Sequence, residues 1–140
     1  MILLLHGKGF LNLSINSNPF SRSKENMTEL FEKKCVPCEG NIPAFDYSEI
    51  HKYLKKVNGW NVKTNEKKNY FIEKEFIFKN FVESQKFVNL VGEISEKEGH
   101  HPDIAFGWGY AKIKILTHAV KGLSENDFIL ASKIDAKTNV

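Results

Sequence analysis

Residues 103–118 read DIAFGWGYAKIKILTH, and this stretch decides the fold. Its composition and spacing predict one strand over residues 103–108 and another over 111–118, with a turn at Gly109-Tyr110 between them. Strands joined by so short a connection pair antiparallel. The sequence therefore predicts an antiparallel hairpin in the second half of the chain.

An earlier hairpin and three helices complete the predicted order. Residues 60–64 and 69–78 have the composition and alternation of two further strands. Each helix start carries two polar residues at the spacing of a capping box. These pairs are Asp46 with Glu49, Asn80 with Glu83, and Ser124 with Asp127. The order α-β-β-α-β-β-α predicts an α+β fold, a four-stranded antiparallel sheet with three helices on one face.

The sequence also predicts where the helices end and which side chains they bury. Asn58-Gly59 is expected to stop the first helix, and the second is expected to run to about Glu98. Helical spacing predicts that the second helix buries one stripe of side chains. The stripe contains Phe81, Ser84, Val88, Val91 and Ser95, with Phe87 and Ile94 beside it.

Length, composition and charge exclude several classes of protein. The chain has 140 residues, of which 41% are hydrophobic and 26% are charged, which is typical of one globular domain. Its apolar runs are shorter than the ~20 residues of a membrane helix. The net charge is +3, and Arg22 is the only arginine. Outside residues 1–26 the charge is nearly balanced, which argues against binding of nucleic acid, and no membrane partner is expected.

Residues 1–26 differ from the rest of the chain, because they are rich in Ser and Asn and show no period. A transit peptide is one interpretation, since acidic residues are scarce there. We favour either a disordered segment or a non-native extension, with translation beginning at Met27. The expected domain therefore covers residues 27–140.

Three histidines are predicted to meet at one end of the sheet. Pro102 forces His101 into an extended conformation, so His100 and His101 lie on a rigid corner before the third strand. His118 ends the fourth strand, its antiparallel neighbour, and is expected to lie close to that corner. Asp127 begins the last helix and can approach the same end. Because imidazole gains and loses protons near neutral pH, the cluster favours proton transfer, such as elimination of water.

Alternative interpretations of these residues stay open. Histidines and a carboxylate also bind zinc, although no metal-ligand spacing is complete here. Asp127 forms a capping box with Ser124, and helix capping is the simpler role for it. Cys35 and Cys38 resemble half of a zinc site or a redox pair, yet a second such pair is absent from the sequence. We interpret the two cysteines as small apolar residues in a structured N-terminal arm.

Residues 98–135 resemble the signature region of the pterin-4a-carbinolamine dehydratases, and the resemblance extends over about residues 30–137. The family pattern is a His-His-Pro corner, an aromatic residue in the next strand, Thr-His after the following strand, then Gly-Leu and an Asp that opens the last helix. Here these are His100-His101-Pro102, Trp108, Thr117-His118, Gly122-Leu123 and Asp127.

The resemblance implies a fold, a reaction and a role for each residue of the motif. The fold is the α+β arrangement above, and the reaction is loss of water from a 4a-hydroxytetrahydropterin, with no metal or cofactor. His100 and His118 are the implied general acid and base, His101 binds or orients the pterin, and Asp127 sets a histidine's tautomer. Glu96, Pro102 and Thr117 are the implied substrate-binding residues.

The resemblance also implies a cellular role. We expect a cytoplasmic homodimer or homotetramer that recycles the pterin of an aromatic amino acid hydroxylase. Two alternatives stay open: a pterin-binding or dimerisation module without catalysis, and a zinc-binding domain that uses Cys35, Cys38 and two histidines.

Overall fold

The computed structural model describes residues 29–37 and 42–138. Both the predicted boundary after residue 26 and the side chain of Cys38 lie outside these ranges. After a helical turn at residues 29–32, the elements are α1 (Tyr47–Leu54), β1 (Asn61–Thr64), β2 (Tyr70–Ile77), α2 (Phe81–Glu98), β3 (Asp103–Gly107), β4 (Tyr110–Ile115), a 3₁₀ turn (His118–Val120) and α3 (Glu125–Thr138). The predicted α+β class and the order α-β-β-α-β-β-α are confirmed.

The four strands form one antiparallel sheet in the order β1-β2-β4-β3. Both predicted hairpins are present, β1 with β2 and β3 with β4. The central pair, β2 and β4, joins the hairpins, with Ile72 opposite Ile115. Because β3 is an edge strand, the corner that precedes it lies at the side of the sheet rather than under a helix.

The helices start where the capping pairs predict. The Asp46 side chain accepts a hydrogen bond from the backbone N–H of Glu49 at 2.8 Å, which satisfies a donor at the start of α1. The Asn80 side chain accepts from the backbone N–H of Glu83 at 3.0 Å and does the same for α2.

A single core lies between the helices and one face of the sheet. Ile72 of β2 and Ile113 of β4 are fully buried, and alternation places both on this face. They belong to one cluster with Ile50 of α1, Val91 of α2 and Leu130 of α3. Burial of apolar side chains, at about 25 cal/mol per Å², therefore holds the helices to the sheet.

Two helix predictions need correction. α1 ends at Leu54, before Asn58-Gly59, because the next residues turn tightly and the Lys56 N–H bonds the carbonyl of Tyr53 at 2.9 Å. On α2, Phe81 was expected to begin the buried stripe but is 44% exposed. The buried side chains of α2 are instead Ser84, Phe87, Val91, Ser95 and Glu98.

The second hairpin also differs from its prediction in two places. Its turn is Trp108-Gly109, one residue earlier than expected, and Gly109 adopts the positive φ of 79° that favours glycine. β4 ends at Ile115, so His118 does not end the strand. The chain leaves the sheet because Thr117 pairs with Gly122 in an isolated bridge, and His118 then begins the 3₁₀ turn.

Within residues 29–37 and 42–138, the structure contains no helix with both the length and the apolar character needed to cross a membrane.

Candidate functional site

The end of α2 fixes the backbone of His100. Gly99 has a φ of 65°, and its N–H bonds the carbonyl of Glu96 at 3.3 Å. The next N–H, that of His100, bonds the carbonyl of Ser95 at 3.1 Å. These two bonds form a Schellman motif, which ends a helix with a residue in the left-handed conformation. His100 is thereby held at a defined position just beyond the helix.

A buried carboxylate holds the ring of His100. Its Nε2 lies 2.7 Å from Oδ1 of Asp127, whose side chain is fully buried. The other oxygen, Oδ2, accepts from the Thr117 hydroxyl at 2.8 Å and from the Ser124 N–H at 2.7 Å. A buried carboxylate needs such donors to offset the loss of water. Because a carboxylate only accepts, Nε2 of His100 donates, and a neutral ring carries its lone pair on Nδ1.

Asp127 therefore makes the contacts that each of its two suggested roles requires. The bond from the Ser124 N–H is the capping-box contact at the start of α3, and the bond to His100 sets the imidazole tautomer. The Thr117 hydroxyl donates its single hydrogen to Asp127. In the 2.9 Å contact between the hydroxyls of Thr117 and Ser124, Ser124 is therefore the donor.

His101 has an exposed carboxylate partner. Its Nε2 lies 2.6 Å from Oε1 of Glu96, and the two side chains are 61% and 80% exposed. Both remain accessible to a ligand, in contrast to the fully buried Asp127 and to His100, whose side chain is 13% exposed. Pro102 follows at once and restricts the backbone of His101.

One cavity brings the three histidines together. It has a volume of about 610 Å³, and its lining includes His100, His101 and His118, together with Glu96 and Thr117. The site therefore forms although β4 ends before His118, because the bridge between Thr117 and Gly122 keeps His118 beside the corner. Neither Asp127 nor Pro102 is part of the lining: Asp127 lies behind His100, and Pro102 acts on the backbone.

The N-terminal arm, residues 33–37, lines the same cavity, which the sequence did not predict. Lys34, Cys35, Val36 and Pro37 contribute to the lining. The backbone N–H of Cys35 donates to Oε2 of Glu98 at 3.0 Å. Glu98 is buried on α2 and also pairs with Lys133 of α3.

Glu98 is ionised despite its burial. Burial by itself raises the pKa of this carboxyl, but hydrogen bonds from Lys133 and from the Cys35 N–H outweigh it and hold the pKa below its ordinary value. A signal in the sequence pointed to this residue, because Glu98 follows Val91 and Ser95 on the buried stripe of α2. A carboxylate on such a stripe needs a buried donor.

Asn126 is the second residue that sequence reasoning missed. It lies in the first turn of α3, directly before Asp127, and is 4% exposed. Its Oδ1 accepts from the Val36 N–H at 3.0 Å, and its Nδ2 donates to the Val36 carbonyl at 2.6 Å. Nothing in the local sequence indicates this contact, because its partner is 90 residues away.

The zinc alternative includes Cys38, which lies outside the described residues. Across residues 29–37 and 42–138, no three His, Cys, Asp or Glu side chains are grouped so as to hold a metal ion. The Cys35 thiol is buried and donates to the Asn126 carbonyl at 3.5 Å. The arrangement instead suits proton transfer, because oriented imidazoles line an open cavity.

The fold and the site define a class: a small α+β protein in which three histidines line a cavity beside the sheet. Comparison with known proteins makes the class specific. Residues 43–137 match the family model for Pterin 4 alpha carbinolamine dehydratase. A Rubrobacter xylanophilus protein named "Putative pterin-4-alpha-carbinolamine dehydratase" is 44% identical over 109 residues, which cover 78% of this chain and 98% of that relative. The chain belongs to the pterin 4 alpha carbinolamine dehydratase family.

Two further comparisons agree with this assignment. A Rickettsia canadensis protein of the same name is 46% identical over 79% of this chain and 99% of its own length. A Brucella melitensis crystal structure, described as a transcriptional coactivator/pterin dehydratase, has a TM-score of 0.59 and 26% identity. It matches over 66% of this chain and 96% of that one.

Proposed function

We propose that the protein eliminates water from a 4a-hydroxytetrahydropterin to give the quinonoid dihydropterin. The observation that carries the proposal is the contact between His100 and the buried Asp127, at the wall of a cavity that His101 and His118 share. Membership of the family supports the substrate, and the geometry supports proton transfer.

The reaction needs one proton donor and one proton acceptor. The C4a–O bond breaks and the hydroxyl leaves as water, taking a proton from one imidazole. The other imidazole removes the proton on N5, and a C4a=N5 double bond forms. We assign these steps to His100 and His118. The bond to Asp127 supports the role of His100 in proton transfer. It occupies Nε2, so Nδ1 is the nitrogen left to exchange protons with the substrate.

The remaining residues of the motif bind or position the pterin. We propose that His101 and Glu96 contact the substrate, since both line the cavity and remain exposed. Thr117 also lines the cavity and holds Asp127. We further propose that Pro102 contributes to substrate binding by restricting the backbone of His101.

The proposed cellular role is recycling of the pterin used by an aromatic amino acid hydroxylase, in the cytoplasm. The pterin is the substrate, and the proposed chemistry uses imidazoles and carboxylates without a metal or cofactor. Self-association as a homodimer or homotetramer also stays a prediction.

A pterin-binding or dimerisation module without catalysis is the second candidate. The observation in its favour is the description of the Brucella melitensis neighbour as both a transcriptional coactivator and a pterin dehydratase. A direct assay separates the two candidates, because only an enzyme accelerates the dehydration.

The test follows the dehydration of chemically generated 4a-hydroxytetrahydropterin. We expect His100→Ala or His118→Ala to reduce kcat by about 10²–10⁴-fold, the range for loss of one general acid or base. The double variant should lose less than the product of the single losses, because both groups act on one reaction. His101→Ala should mainly raise KM.

His51→Ala is the matched control, because His51 is exposed on α1 and does not line the cavity. Circular dichroism checks the fold of each variant. A folded double variant with the turnover of the unchanged protein would contradict the assignment and favour the binding module.

A further inference from the structure

The arm supplies a wall of the cavity without belonging to the helices or the sheet that hold the histidines. Lys34, Cys35, Val36 and Pro37 line the cavity together with residues at the end of α2 and after β4. Residues 33–37 have no regular secondary structure, so no backbone ladder fixes them. Their position depends on side chains that reach them from the helices.

Two buried side chains make these contacts. The side-chain amide of Asn126 accepts a hydrogen bond from the N–H of Val36 and donates one to its carbonyl. A neighbouring strand in a sheet would make the same two bonds. Glu98 accepts from the N–H of Cys35, and its pairing with Lys133 keeps it charged. A hydrogen bond to a charged group is stronger than one between neutral groups.

A third contact to the arm is exposed and should contribute little. Lys33 lies 2.6 Å from Glu125, but the two side chains are 44% and 38% exposed. Exposed ion pairs contribute little to stability, because water and salt screen their charges. The buried contacts through Asn126 and Glu98 therefore decide where the arm lies.

Both anchors are next to residues of the site in sequence, but their side chains bond the arm rather than a histidine. Glu98 precedes His100 by two residues at the end of α2, and Asn126 directly precedes Asp127 at the start of α3. The same two helix ends thus fix His100, through its bond to Asp127, and hold the arm that lines the same cavity.

We propose that residues 34–37 of the arm are a substrate-retaining wall and that Asn126 and Glu98 are positioning residues that hold it against the bound pterin. This inference rests on the proposed function. Neither residue exchanges protons with the substrate, so the wall acts on binding in the ground state and the transition state alike. Loss of such binding raises KM and leaves kcat unchanged.

The test compares Asn126→Ala with two control variants in the dehydration assay. Asn126→Ala should raise KM by about tenfold, equivalent to about 1.4 kcal/mol, with kcat changed less than about twofold. Lys33→Ala removes the exposed contact to the same arm and should leave KM unchanged. Asp135→Asn breaks a hydrogen-bond network elsewhere on α3 and controls for a general loss of stability.

Amide hydrogen exchange reports the arm directly. Exchange in a peptide that covers residues 33–37 should become faster in Asn126→Ala and stay unchanged in Asp135→Asn. Val36→Pro is the second variant if Asn126→Ala does not fold. It removes the N–H that Asn126 accepts, at a position that is 65% exposed.

The outcomes distinguish this inference from the proposed function. Absence of turnover in the unchanged protein would overturn the proposed function and, with it, the retaining role of the arm. An active protein in which Asn126→Ala speeds exchange but leaves KM unchanged would overturn the retaining role alone. A fall in kcat without a rise in KM would also overturn it, because the variant would then act through Asp127.

Discussion

At the scale of the residue, Asp127 shows how one side chain serves both the fold and the site. Oδ2 binds the hydroxyl of Thr117 and the N–H of Ser124, which satisfies the start of α3. Oδ1 is left for the imidazole of His100. Because the cap fixes the carboxylate before any ligand is present, the imidazole is oriented in advance, which lowers the cost of reaching the reactive geometry.

Replacement of Asp127 by Asn tests this orientation. If the amide oxygen keeps the contacts to Thr117 and Ser124, its NH₂ group faces His100 and favours the opposite tautomer. We expect Asp127→Asn to reduce kcat by about 10²–10⁴-fold, as expected for an imidazole held in the wrong tautomer. Steady-state kinetics and thermal unfolding measure the effect.

Asn80→Ala is the control, because it removes a helix cap far from the cavity. It should cost about 1 kcal/mol of stability and leave kcat unchanged. Turnover in Asp127→Asn equal to that of the unchanged protein would show that Asp127 is a cap and nothing more.

The limits of sequence reasoning are clear at this scale. The histidines were found because the His-His-Pro corner is a local signal, and the capping spacing of Ser124 and Asp127 is local too. Glu98 and Asn126 were missed because their partner is an arm more than 60 residues away along the chain. The contacts themselves leave no signal in the local sequence, although the position of Glu98 on the buried stripe of α2 indicated that it needs a donor.

At the scale of the element, the end of α2 positions the site. Gly99 takes the left-handed conformation, which costs other L-residues about 1–2 kcal/mol. An added Cβ at this position meets no atom within 4 Å, so a substitution is strained only through its backbone. The position of His100 depends directly on this conformation, because His100 is the next residue.

Gly99→Ala should therefore lower the free energy of unfolding by about 1 kcal/mol and also reduce kcat, because relaxation of the helix end moves His100. Gly92→Ala is the matched control, since Gly92 lies within α2 and an added Cβ is likewise free of contacts. It should stabilise the helix by about 0.5–1 kcal/mol and leave kcat unchanged. If Gly99→Ala and Gly92→Ala changed the free energy of unfolding equally in chemical denaturation, the left-handed conformation of Gly99 would not be what distinguishes the two positions.

The elements themselves were largely predictable, and the errors have physical causes. Alternating residues and capping pairs predicted the hairpins and the helix starts, because these signals are local. The predicted end of β4 was too far along the chain. Leu116 and Thr117 are as buried as the residues of the strand, but the chain has already left the sheet at Ile115. Phe81 was assigned to the core, but it contacts the exposed Phe106 at 5.7 Å between ring centroids.

The contact between the arm and α2 should depend on pH. The pKa of Glu98 is held below its ordinary value of 4.5. Above pH 4.5 the charged carboxylate therefore makes its full contribution to holding the arm against α2. The contribution is lost as the pH falls through the lowered pKa, because the protonated carboxyl loses its charge-assisted bonds. Hydrogen exchange in residues 33–37, corrected for the intrinsic rate, should then become faster in acid.

Glu98→Gln is the matched variant for this prediction. It keeps the shape of the side chain and removes its titration, so the acid-dependent part of the exchange should disappear. The same pH dependence in Glu98→Gln and in the unchanged protein would show that another group controls docking of the arm.

At the scale of the whole molecule, the fold separates the site from a second polar network. Asp135, near the end of α3, accepts from the Trp60 indole N–H at 2.9 Å and from Lys74 of β2 at 2.7 Å. Its side chain is 8% exposed, so this network joins α3 to β2 and to the start of β1 away from water. It lies outside the lining of the cavity, whereas Glu98 and Asn126 contribute to that lining.

Asp135→Asn should therefore destabilise the protein without affecting the site. The change leaves Lys74, whose side chain is 19% exposed, without its charged partner, and we expect a loss of about 1–3 kcal/mol. For a domain of this size, each kcal/mol lowers Tm by about 3–5 °C. Both kcat and KM measured well below Tm should stay unchanged, because the histidines and the arm are held by other contacts. A rise in KM that parallels the fall in Tm would mean that stability and substrate binding are coupled across α3, and that the two ends of this helix do not act independently.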